Sequence, residues 1–160
     1  MIADFSGCSG WHDGVFIRSY RPKTRLLLSG GAIELDIVSR LAIASGFELS
    51  AANTDTPFSA GLDSIDRDTA VAILHHDLDR EIQILKAALD ARPFYLGALG
   101  SQRTHARRSE ALRRLGYTDA DISRIKAPIG IFPKARDSAS LALSVLAEIA
   151  LARSVDGGLR

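Results

Sequence analysis

Phe94-Tyr-Leu-Gly-Ala-Leu-Gly-Ser101-Gln-Arg-Thr-His-Ala-Arg-Arg108 reads as a short buried strand, a glycine turn, a serine and then a basic helix. A helix start leaves backbone N–H groups without partners and carries the positive end of the helix dipole. Gly97 and Gly100 allow a tight turn and a close approach of backbone to a ligand. Ser101 suits the N-cap, and Arg103, Arg107 and Arg108 add positive charge within two turns. Such a corner is a ready anion site, with phosphate the commonest anion. The plain alternative is an ordinary strand–turn–helix corner with a solvated arginine face.

Outward from this corner, strands alternate with helices. Residues 25–29 form a compact apolar run of the length of a buried parallel strand. Gly30-Gly31 follow, then Ile37, Val38, Leu41 and Ala42 at helical spacing, with Gly46 placed to end the helix. Residues 47–52 and 70–74 are further strands, separated by a polar loop over 53–68. Asp77 is placed to cap a helix carrying Ile82, Leu85 and Leu89 on one face. Thr118 and Asp121 read as a capping box. Asp137 or Ser138 starts a final helix to about Arg153, with Leu141, Val145, Leu146 and Ile149 facing inward. This order predicts an α/β fold: a Rossmann-like parallel sheet with helices on both faces, one domain over 24–155. Residues 1–23 read as an irregular lead-in, with a short strand at Val15-Phe16-Ile17. In such sheets ligands sit beyond the carboxyl ends of the strands, here 29–31, 53–55, 75–77 and 97–101.

The net charge of +1 over 160 residues gives no field that favours nucleic acid or an acidic membrane. The longest apolar segment, residues 141–152, contains Glu148 and is too short for a bilayer. The first ten residues lack the charged start and apolar run of a signal peptide, and the single cysteine, Cys8, forms no intrachain disulfide. These features place the protein in the cytoplasm, with no nucleic-acid or membrane partner.

Three constellations can carry chemistry at the rim. Gly30-Gly31-Ala32 with Asn53 is a degraded dinucleotide fingerprint: Ala32 stands at the second glycine position of G-x-G-x-x-G, and Asn53 replaces the usual ribose-binding carboxylate. NAD(P) binding is therefore the weaker cofactor reading. His75-His76-Asp77 places imidazoles at a strand end, where a His beside an Asp can be a general base or a neutral hydrogen-bond donor to a ligand; Asp77 reads more safely as a helix cap. Cys8 is either a thiolate that touches a metal or carries sulfur, or a passive thiol. No P-loop, nucleophile elbow or zinc-protease motif is present.

The segment 95–108 resembles the Y-I-G-x-L-G-S-R-R-T-H-A-R-R segment of the XdhC/CoxI family, accessory factors of xanthine dehydrogenase and related molybdenum hydroxylases. Ala127-Pro-Ile-Gly130 is similar to its A-P-I-G turn, Leu141-Ala-Leu-Ser-Val-Leu-Ala-Glu-Ile149 to its final helix, His76-Asp77 to its T-H-D element and Cys8-Ser-Gly10 to its C-G-G element. Four positions depart from the family pattern. Gly30-Gly31-Ala32-Ile33 stands for G-x-G-H, Asn53 for an acidic strand end, Ile131-Phe132-Pro133-Lys134 for L-D-I-G, and Ser140 for Glu. The resemblance implies a factor that binds molybdenum cofactor (molybdopterin), aids its sulfuration with a cysteine desulfurase and hands it to a xanthine dehydrogenase-type hydroxylase. It implies a carrier rather than a catalyst. Cofactor-binding residues would then be Gly30, Gly31, Ala32, Asn53, His76, Asp77, Gly97, Gly100, Ser101, Arg103 and Gly130, with Cys8 at the metal. Open sheet edges and the final helix allow a homodimer. A Rossmann-type NAD(P) oxidoreductase and a non-catalytic interaction module are the alternatives.

Overall fold

Alternation along the central strands decides the layering. The computed structural model describes residues 9–12, 14–18, 22–53, 62–75, 77–132 and 134–156. Cys8 and His76 lie outside the described residues. In β3 (Arg25–Gly30), Leu26 and Leu28 enter one apolar cluster and Leu27 the other. In β5 (Thr69–Leu74), Ala70, Ala72 and Leu74 join the first cluster, Val71 and Ile73 the second. A strand whose successive side chains are buried on opposite faces needs a covering layer on each.

Those layers are helical. Leu35, Val38 and Ala42 of α1 (Ala32–Ala44) and Ala142, Val145, Leu146 and Ile149 of α5 (Ser138–Asp156) close the first face. Ile84, Leu85, Ala88 and Leu89 of α2 (Leu78–Ala91), Leu112 of α3 (Gln102–Arg114) and Ile122 of α4 (Asp119–Ile122) close the second. By length and composition α5 is apolar enough to cross a membrane. One face of it is buried on the sheet.

The sheet has five parallel strands in the order β4-β3-β5-β6-β7, where β4 is Glu48–Asn53, β6 is Tyr95–Ala98 and β7 is Ile125–Lys126. The chain leaves β3 for β4 on one side, then crosses to β5 on the other. The order therefore reverses between β3 and β5, where Gly30 stands opposite both Asn53 and Leu74.

The parallel sheet with helices on both faces agrees with the fold expected from the sequence, and so do the local signals. Asp77 accepts from the amides of Asp79 and Arg80, and Ser101 from that of Thr104. Thr118 and Asp121 exchange both bonds of a capping box, and Asp137 accepts from the amide of Ser140. Two elements differ from expectation. Residues 125–126 form a fifth strand too short to show a period. Gly10–His12 (β1) is a strand in a stretch read as irregular; it pairs antiparallel with the expected short strand Val15–Ile17 (β2), with Trp11 and Phe16 edge to face at 5.4 Å.

The segment after β7 is pinned over β6. Glu148 accepts from the Tyr95 hydroxyl at 2.5 Å and from the Gly130 amide at 2.7 Å, and Ser144 Oγ accepts from the Phe132 amide at 2.8 Å. Burial, and then the adjacent Glu148 carboxylate, hold the Tyr95 hydroxyl far above the usual tyrosine range. Ile129 thereby lies directly on Gly97: a Cβ there would meet its side chain at 2.7 Å and the Tyr95 hydroxyl at 2.6 Å. Gly97→Ala is accordingly expected to cost about 1–3 kcal/mol through overpacking, read as a lower urea midpoint with an unchanged slope.

Candidate functional site

The strand order reverses between β3 and β5, and in such sheets ligands bind in the crevice outside the carboxyl ends of the strands at that point. A polar contact lies at these strand ends: Ser29 Oγ and His75 Nε2 are 3.1 Å apart, and both residues are buried. Either atom can donate, according to the imidazole tautomer. The sequence placed both residues at strand ends and singled out His75 with its neighbours, but gave Ser29 no role. Their pairing across 46 residues depends on β3 lying beside β5, which no local pattern reveals.

On the β3 side, Gly31 is the N-cap residue of α1 and supplies no side-chain cap. The Glu34 carboxylate folds back over it, so that a Cβ on Gly31 would meet Oε2 at 2.8 Å. Gly30 ends β3 against Leu74, Ala32 opens α1 on the exposed surface, and Asn53 closes β4. A negative group over this helix start opposes a second anion there. Asp77 is exposed, and its carboxylate is engaged by two amides of α2 and, at 3.4 Å, by Arg80.

On the β6 side the turn into α3 is open for an anion. Gly100 has φ +135°, which favours glycine, and a Cβ there would meet Thr104 at 2.9 Å. Ser101 Oγ takes the Thr104 amide at 3.2 Å, and the Ser101 carbonyl takes that of His105 at 2.9 Å. The amides of Gly100, Ser101, Gln102 and Arg103 have no acceptor among the described residues. Arg103 and Arg107 are exposed, one turn apart and without a carboxylate partner there, whereas Arg113 and Arg114 pair with Asp119 and Glu110.

Three placements change the reading of individual residues. Gly97 lies within β6 and its smallness serves the packing of Ile129. The Gly130 amide is taken by Glu148, and a Cβ at Gly130 would meet Ser144 Oγ at 2.4 Å. Arg108, read as part of a solvated basic face, is fully buried against Glu81. The signal for that was its phase: Arg108 lies four residues before Leu112, on the helix face that enters the core. Among the described residues no His, Cys, Asp and Glu group gathers to hold a metal ion.

The model of the XdhC Rossmann domain matches residues 26–149, and the chain belongs to that family. It is 48% identical over 145 residues to the molybdenum cofactor insertion chaperone PaoD of Escherichia coli, a match that covers 91% of this chain and 45% of PaoD. It is similar in fold to the crystal structure of a xanthine dehydrogenase from Bacillus halodurans, with a TM-score of 0.68 and 21% identity over 85% of this chain and 44% of that one. The chain spans less than half the length of either.

Burial, and then the charge of Arg108, hold the His105 imidazole below its ordinary pKa of 6.5. The unfolded chain therefore takes up this proton first as the pH falls. The contribution is complete above about pH 6.5 and declines below it. Urea midpoints from about pH 7.5 to pH 5 are expected to fall less steeply for His105→Gln than for the parent. Ser101→Ala is expected to lower stability by about 1 kcal/mol at every pH through loss of the cap, measured on the same series.

Proposed function

We propose that the chain serves molybdenum-cofactor maturation: it binds the cofactor at the carboxyl rim and passes it to a molybdenum hydroxylase of the xanthine dehydrogenase type. The observation that carries this reading is the 48% identity, over nine-tenths of the chain, to a protein named as a molybdenum cofactor insertion chaperone.

The residues at the rim fit the group. Molybdopterin ends in a phosphate, and the β6–α3 turn offers four amides, a helix N-terminus, a glycine cradle and the exposed guanidinium of Arg103. The pterin presents hydrogen-bonding edges, which Ser29 and His75 can meet at the ends of β3 and β5, and we assign Asn53, His76 and Asp77 to the same group. Gly30, Gly31 and Ala32 form the opposite wall, where Glu34 disfavours a dinucleotide pyrophosphate. This supports the pterin over NAD(P). Gly97 and Gly130 act in this reading through backbone packing that shapes the rim. When bound, the cofactor supplies the molybdenum chemistry, and the chain holds, orients and shields it. We assign Cys8 to the metal or its sulfur ligand, a cysteine desulfurase to the sulfuration step, residues 24–155 to the binding unit and the cytoplasm to the whole process. A homodimer is part of the same proposal.

Cofactor released from a donor molybdoenzyme is expected to raise the melting temperature of the chain, while NADPH leaves it unchanged. Arg103→Glu is expected to weaken cofactor binding by about tenfold or more without lowering the melting temperature of the free chain. Stabilisation by NADPH alone, or equal cofactor affinity in Arg103→Glu, would contradict the assignment.

A further inference from the structure

Arg108 is completely buried, and so is its partner Glu81, with Nε of Arg108 donating to Glu81 Oε2 at 2.9 Å. Nη2 donates to the Leu99 carbonyl at 2.9 Å, and Nη1 approaches His105 Nδ1 at 3.5 Å. Glu81 Oε1 has no hydrogen-bond partner among the described residues. Taking two charges out of water costs more than their attraction commonly returns, and apolar residues of similar volume often do as well or better. Stability alone therefore gives no reason for this pair.

Its position does. Glu81 lies in the first turn of α2, the helix that follows His75 at the end of β5. Leu99 lies in the turn between β6 and α3, and Arg108 in the second turn of α3. One side chain thus joins three parts of the rim. It engages the Leu99 carbonyl beside the turn whose next four amides have no acceptor among the described residues.

We infer that Arg108, oriented by Glu81, is a positioning residue. It sets the turn from Leu99 to Ser101 before any ligand arrives and couples that turn to the start of α2. An anion then meets amides already ordered, and the ordering is not subtracted from its affinity. The part of this inference that concerns binding rests on the function proposed above.

The test uses the full chain with Glu81→Leu combined with Arg108→Met, which exchanges the buried charges for an apolar pair. Its urea midpoint is expected to equal or exceed that of the parent. Hydrogen exchange is read at the amides of Leu99, Thr104 and His105, which bond to Ile73 O, Ser101 Oγ and Ser101 O. These are expected to exchange about tenfold faster, while amides of β3 and β5 stay as protected as before. Affinity for released molybdenum cofactor is expected to fall about tenfold. Unchanged exchange and unchanged affinity at equal stability would overturn the inference. Should the double variant fail to fold, Arg108→Lys decides the matter. It keeps a charge for Glu81 but lacks the second arm to Leu99, so unaltered exchange and affinity would again overturn the inference. A parent that binds no cofactor would refute the proposed function instead, and the exchange rates would still decide whether Arg108 orders the turn.

Discussion

The parallel pairing of β3 with β5 is the constraint on which the rest of the structure depends. Both strands are buried on both faces, so helices must cover each side, and each crossover must carry the chain back over the sheet. Because β4 intervenes in the chain but lies on the far side of β3, the two central strands feed their loops in opposite directions. The crevice expected at such a reversal is a product of topology, and the polar residues at these strand ends, Ser29 and His75, are brought together by it. A slip of one residue in this pairing would turn Leu26 and Leu28 to the wrong face and separate that contact.

Around the crevice the two glycine turns have different electrostatics. The turn before α1 has a carboxylate of its own chain, Glu34, folded over the helix start. The turn before α3 has free amides, an N-cap serine and two guanidinium groups without carboxylate partners among the described residues. An anionic ligand at this rim would meet one wall that disfavours it and one that favours it, an asymmetry that would orient it. The buried pair of Arg108 and Glu81 lies behind the favourable wall. The pinned segment from Ala127 to Phe132, tied to α5 through Glu148 and Ser144, closes the sheet beyond it.

What was legible in the sequence was local. The runs 25–29 and 70–74 read as strands because a strand buried on both faces is uniformly apolar. Asp77, Ser101 and Thr118 read as caps because a cap is decided by residues two or three positions away. The fifth strand was not legible, since two residues carry no period, nor was Gly10–His12, the partner of the short strand read at Val15–Ile17. Arg108 was read as a surface charge because its partner sits 27 residues earlier, on another helix. Gly130 was counted among the cofactor-binding residues, and nothing near it in the chain announces that Glu148, 18 residues on, takes its amide. Site residues whose roles depend on strand order or helix packing emerge only once the fold is known.

The central claim is that this rim receives the molybdenum cofactor, phosphate toward the β6–α3 turn and pterin toward Ser29 and His75. A crystal structure of the chain with cofactor from a donor molybdoenzyme tests it most directly. The account predicts the phosphate within hydrogen-bonding distance of the Ser101 amide and the Arg103 guanidinium, with the pterin over the crevice between β3 and β5. Cofactor seated at the amino end of the sheet, or on the outer faces of α1 and α5, would contradict it.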